Sequence, residues 1–153
     1  MESINEKYWP IYHEVGHWMI SRGLSHKGYI TGNIKENNEF RFQGFTCPQK
    51  NTIQGLKENI LIAFGGIGAE KILDIPQNAG CIGDLAFACD YLKQLYSLEN
   101  KVFEFKNYMD FPDKEYDYYL SQAKIVLNQL GGKETILSNG KYVYEKLSEN
   151  REN

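Results

Sequence analysis

The sequence predicts one mainly α domain with a small β-hairpin or short sheet, in which an HExxH helix packs within a helical bundle. Three observations support this. Apolar residues recur at spacings of three and four through most of the chain, as on one face of a helix. A single stretch, Tyr29 to Gln43, changes to β-prone runs. The stretch Tyr12-His13-Glu14-Val15-Gly16-His17-Trp18 places two of the three histidines four residues apart with a glutamate between them. At 153 residues the chain most simply forms one domain, 1–153, long enough to bury a core.

Taken in order, Ser3 with Glu6 reads as a capping box, but Pro10 cannot sit unkinked in a helix interior. The helix that carries His13 and His17 therefore begins near Pro10, or a first turn runs into a kink there. It continues through His17 to about Arg22, with Gly23 as its stop. Tyr29-Ile30-Thr31 and Phe40-Arg41-Phe42 form a pair of strands joined by the polar turn Lys35 to Asn38, and Gly44-Phe45-Thr46 extends the second toward Pro48. Asn51 or Thr52 caps a second helix with Ile53, Leu56, Ile60, Phe64, Ile67 and Ile72 on its apolar positions. Gly65, Gly66 and Gly68 each cost about 1 kcal/mol there relative to Ala, so close approach of another helix, the HExxH helix foremost, is the expected reason. After a loop from Ile75 to Gly83, Asp84 starts a third helix with Leu85, Ala88, Leu92 and Leu95 inward. Tyr116, Leu120, Ala123, Leu127 and Leu130 mark a fourth, ended by Gly131-Gly132, and Ile136, Val143 and Leu147 a shorter fifth.

On a helix, His13 and His17 stand one above the other on one face, where two imidazoles can bind the same metal ion. Glu14 projects to the side and is placed to act on a water at the metal, as the general base of zinc-dependent hydrolysis must. A catalytic zinc usually takes three protein ligands, so two histidines leave the set incomplete. His26 does not fit the longer HExxHxxGxxH pattern, since Ile20 and Gly23 stand where glycine and histidine are needed, and reads as a surface loop residue. Two carboxylates compete for the third position. Glu70, with Asp74 four residues on, echoes a zincin in which a helical glutamate binds zinc and an aspartate supports it; otherwise it is an internal ion pair or part of a solvated face. Asp84 either binds the metal or is a plain helix N-cap.

His13-Glu14-Val15-Gly16-His17, Gly44-Phe45-Thr46, Phe64-Gly65-Gly66-Ile67-Gly68-Ala69-Glu70 and Gly80-Cys81-Ile82-Gly83-Asp84-Leu85 together resemble, in order and spacing, the peptidase domain of the FtsH-type ATP-dependent zinc metalloproteases. The resemblance covers roughly Tyr8 to Leu95. It implies that Asp84 is the third zinc ligand beside His13 and His17, that Glu14 is the catalytic base, and that Glu70 is either structural or supports the site from outside the ligand set. This chain departs from the family at Trp18, where a small residue is usual, at Pro10, and at Gly83, where asparagine is usual. It carries no GxxxxGK[ST] phosphate loop, because Gly131-Gly132-Lys133-Glu134-Thr135 has the wrong spacing. The expected protein is thus a stand-alone metallopeptidase acting on flexible or unfolded polypeptides, with a separate ATPase or further copies of itself as potential partners. The alternative is a catalytically silent, zinc-stabilised interaction module on the same scaffold.

Composition bounds the other classes. Apolar residues at 42% and charged residues at 24% are ordinary for a soluble globular protein. A net charge of -3 with scattered basic residues disfavours nucleic acid as a partner. The apolar stretch Ile60 to Ala69 is too short to span a bilayer, and no secretory leader is legible. Cys47, Cys81 and Cys89 have neither disulfide nor zinc-knuckle spacing, which suits a reducing cytoplasm.

Overall fold

The structure, a computed structural model, describes residues 4–26, 28–33, 39–44 and 51–150. Among them are six α-helices and one antiparallel strand pair: α1 Trp9–Gly23, β1 Gly28–Asn33, β2 Glu39–Gly44, α2 Ile53–Ala63, α3 Gly65–Leu73, α4 Cys81–Leu98, α5 Asp113–Gln129 and α6 Gly132–Asn150. No described helix is long and apolar enough to cross a membrane.

The central element is α1. Pro10 falls in its first turn, where no intrahelical donor is needed, and a short 3-10 turn, Glu6–Tyr8, leads directly into it. Ser3 lies outside the described residues; Asn5 instead caps a short 3-10 turn, its Oδ1 accepting from the Lys7 amide at 3.0 Å. Ile11, Tyr12, Val15, Met19 and Ile20 are all buried, as are His13 and His17. Burial of this many faces makes α1 a core helix rather than an amphipathic surface one. Gly23 is its last residue and not its left-handed stop. That conformation falls to Ser25, with φ 65°.

The strands pair as expected, Ile30 opposite Phe42 and Thr31 opposite Arg41. The turn Lys35 to Asn38, and Phe45 to Pro48, lie outside the described residues. Thr52 is the cap of α2, its Oγ1 accepting from the Gly55 amide at 3.0 Å. The second helix expected from the periodicity is in fact two, broken at Phe64. A tertiary contact lies at the break. Gly65 and Gly16 bring the backbones of α3 and α1 into contact, and a Cβ on Gly16 would stand 2.0 Å from the Gly65 carbonyl oxygen. This is the helix approach for which the glycines were expected. Gly68 faces a different neighbour, Ala123 and Leu127 of α5.

Phe64, fully buried at the break, gathers Phe111, Tyr116 and Tyr119 around its ring at centroid distances of 5.8, 5.4 and 6.0 Å. Tyr119 thus joins Ala123 and Leu127 in the core, whereas Leu130 is exposed. The buried Tyr12 ring of α1 lies against Gly140 of α6, where a side chain would collide with it; α6 runs from Gly132 to Asn150, and the shorter helix expected from Ile136 to Leu147 lies within it.

Candidate metal centre

His13 and His17 project from α1 toward α3 and the start of α4. That helix begins at Cys81, three residues earlier than the sequence suggests, so Asp84 lies inside its first turn. The N-cap position is Gly80, and no side chain caps it. The Asp84 carboxylate points instead at the histidines. Its Oδ2 is 2.7 Å from His13 Nε2 and 3.0 Å from His17 Nε2, and the two Nε2 atoms are 3.2 Å apart. Tetrahedral zinc with bonds of about 2.0–2.1 Å requires donor atoms about 3.3 Å apart, close to this triangle.

The outer nitrogens of both rings are already committed. His13 Nδ1–H donates to Glu70 Oε1 at 3.0 Å, and His17 Nδ1–H donates to the Ile62 carbonyl at 2.7 Å. Each neutral imidazole then turns the Nε2 lone pair inward, toward a carboxylate oxygen that also offers lone pairs. Three acceptors at this range repel one another unless a cation lies among them. In the metal-free protein a proton serves. Burial opposes charge on His13, but its hydrogen bonds to Asp84 and Glu70 outweigh burial and push it up to about 10. His17 is raised as well, burial again being outweighed, chiefly by Asp84. Burial likewise works against the Asp84 anion, yet His17 and His13 hold its carboxyl well below the usual carboxylate range. His13, His17 and Asp84, whose ligand atoms all lie within 4.8 Å of one another, could hold a metal ion.

The support for this triangle comes from the broken helix. The end of α2 supplies the Ile62 carbonyl, and α3 supplies Glu70, which is buried. The second oxygen of Glu70 accepts from the Asn78 amide at 2.6 Å, and Asn78 Oδ1 accepts from the Gly80 amide at 2.7 Å. One carboxylate therefore holds both a ring from α1 and the loop that presents Asp84.

Glu14 is half-buried beside this cluster, and its charge acts on His17. Glu70 meets His13 from outside the triangle, and Asp74 is the exposed left-handed cap of α3, with φ 54°. His26 is paired with Glu58 of α2 at 3.3 Å. Cys81 is half-buried and lies outside the cluster, burial pushing its thiol up. Trp18 lines a groove with Leu130 and Asn139 near the α5–α6 turn, where Arg22 sits 5.6 Å from its ring centre. The Ile62 carbonyl was not foreseen, since a main-chain acceptor has no side-chain signature.

No protein-family model, curated protein or solved structure matches the chain. The resemblance to the FtsH-type peptidase domain therefore rests on the motifs alone.

Proposed function

We propose that the chain is an FtsH-like zinc metalloendopeptidase domain that hydrolyses peptide bonds in flexible or unfolded polypeptides. The observation that supports it most is the convergence of His13 Nε2, His17 Nε2 and Asp84 Oδ2, with the outer nitrogens of both rings tied back. Two imidazoles and one carboxylate suit zinc among the common divalent ions. A zinc ion held there supplies Lewis acidity, which makes water nucleophilic near neutral pH and polarises the scissile carbonyl. Glu14 accepts a proton from the attacking water and delivers it to the leaving amine. Glu70 and the Ile62 carbonyl keep the two rings in the ligating tautomer throughout. An extended segment would reach the site where Asp84 retains 21% of its side-chain exposure, and the hairpin offers a strand edge for backbone pairing. The 153 residues hold no phosphate loop, so this domain would act on substrates that are already flexible or that an ATPase has unfolded.

The near-complete burial of both imidazoles, 1% and 4% exposed, favours a second reading, a zinc-stabilised interaction module without turnover. Glu14→Gln separates the two. On the peptidase reading it keeps the metal and loses cleavage of an unstructured protein by about a hundredfold or more. Equal cleavage by the metal-loaded variant would refute the role of Glu14, and no cleavage by the metal-loaded wild type would leave the module.

A further inference from the structure

Gly65, Gly66 and Gly68 lie in one buried turn, but a side chain at each would meet a different obstacle. At Gly65 it is the Gly16 backbone, at 2.6 Å, and at Gly68 the α5 side chains Ala123 and Leu127, at 3.2 and 3.3 Å. At Gly66 the three nearest atoms all belong to one imidazole, with His13 Cε1 at 2.4 Å, Nε2 at 2.5 Å and Nδ1 at 2.6 Å. Near-equal distances to three ring atoms mean that the missing Cβ would stand over the face of the ring. That ring cannot swing aside freely. It is 1% exposed, is held by Glu70 at Nδ1, and faces Asp84 at Nε2.

We propose that Gly66 is a positioning residue of the metal centre. Its bare backbone is the floor on which the His13 imidazole lies, and it sets the direction of the Nε2 lone pair toward His17 and Asp84. The inference rests on the metal-site reading above. Ordinary carbon contact needs about 3.5 Å, so an alanine here displaces the ring by about 1 Å. A ligand must be held to within about 0.5 Å of its productive position, so the shift is enough to spoil the triangle. Gly66 adopts no left-handed backbone conformation, and alanine is therefore excluded by the ring alone.

The test compares Gly66→Ala with Gly68→Ala in the full chain, the same exchange two residues apart in one helix. Each protein is stripped with chelator, checked for helicity, and titrated with Zn2+ against a competing chelator, and with Co2+, whose visible absorption reports coordination geometry. Gly66→Ala should bind Zn2+ about tenfold or more weakly and change the Co2+ spectrum, as disturbed ligand supports do, while Gly68→Ala keeps both. Wild-type affinity and spectrum in Gly66→Ala would overturn the proposal. If Gly66→Ala fails to fold, the double variant with His13→Ala decides. Overlap with the ring predicts a double variant that folds as well as His13→Ala alone, and a double variant that is also unfolded overturns it. A wild type that binds neither ion would refute the metal site itself.

Discussion

Exchanging Glu70 for glutamine changes one atom and should disturb both folding and metal binding. The Glu70 carboxylate accepts two hydrogen bonds, from His13 Nδ1–H at 3.0 Å and from the Asn78 amide at 2.6 Å, in a position only 2% exposed. Glutamine offers one acceptor oxygen and one NH2 donor. If its oxygen faces His13, its NH2 opposes the Asn78 N–H, and the loop that carries Gly80 and Asp84 is pushed away. If its NH2 faces His13, Nδ1 must give up its proton to become the acceptor, the remaining ring proton is fixed on Nε2, and the ring can no longer ligate. Either way one charge-assisted hydrogen bond is lost and a buried donor is left unpaired. Together these cost about 2–4 kcal/mol. For a chain of this size that lowers the melting temperature by about 5–15 °C. Metal affinity should fall by about 10–100-fold, the usual effect of removing the partner of a ligating histidine. Thermal melts in excess chelator measure the first effect, and competition titration with Zn2+ the second. A Glu70→Gln protein that melts within about 2 °C of wild type and binds the metal equally well would refute the assignment of Glu70.

Further outcomes follow from the same geometry. Gly16→Ala places a Cβ 2.0 Å from the Gly65 carbonyl oxygen and 2.8 Å from Ala69 Cβ, so α1 and α3 must separate. Overpacking against main chain should cost more than about 3 kcal/mol in urea unfolding, well above the gain of up to about 1 kcal/mol from helix propensity. A Gly16→Ala chain of wild-type stability would contradict the backbone contact. The metal-free protein should also be pH-sensitive. His13 is raised to about 10, so its contribution is complete below the ordinary histidine value of about 6.5 and is lost as pH rises through 10. Asp84 is depressed, so its contribution is present above the ordinary carboxylate range and lost as pH falls through its lowered value. Unfolding in chelator should therefore show greatest stability at mildly acidic pH, with a decline toward pH 10; a stability that rises from neutral to pH 10 would contradict the ion pair. Zn2+ affinity should rise with pH over the same interval, because the ion displaces the proton held between His13 and Asp84.

Local signals made much of this structure legible. The helix that carries His13 and His17, the place of Pro10 near its start, the Thr52 cap and the pairing of the two β-prone runs each depend on near neighbours in the chain, and each is found in the structure. The helix break at Phe64 is different. The apolar spacing from Leu56 to Ile67 runs on across it, and Gly65, directly after the break, packs against Gly16, far away in sequence. In α4, too, Asp84 is a residue type that often caps a helix, but the helix starts earlier, at Cys81, and the Asp84 carboxylate meets His13 and His17 of α1, which are distant in sequence. In α5 the period alone did not distinguish Tyr119, which packs on Phe64, from Leu130, which the Gly131 turn carries to the surface. The pairing of His13 with His17 could be read from the sequence, and Asp84 and a place for Glu70 outside the ligand set followed from the family-like motif, but the particular atoms that hold the two rings could not. Glu70 is 57 residues from His13, and the Ile62 carbonyl belongs to the backbone.

The central claim is that His13, His17 and Asp84 bind one metal ion. Elemental analysis of the purified chain beside Asp84→Ala and Glu14→Gln tests it most directly. The account predicts about one equivalent of zinc in the wild type, retention in Glu14→Gln and loss in Asp84→Ala. A wild type without metal, or an Asp84→Ala protein that retains a full equivalent, would contradict it.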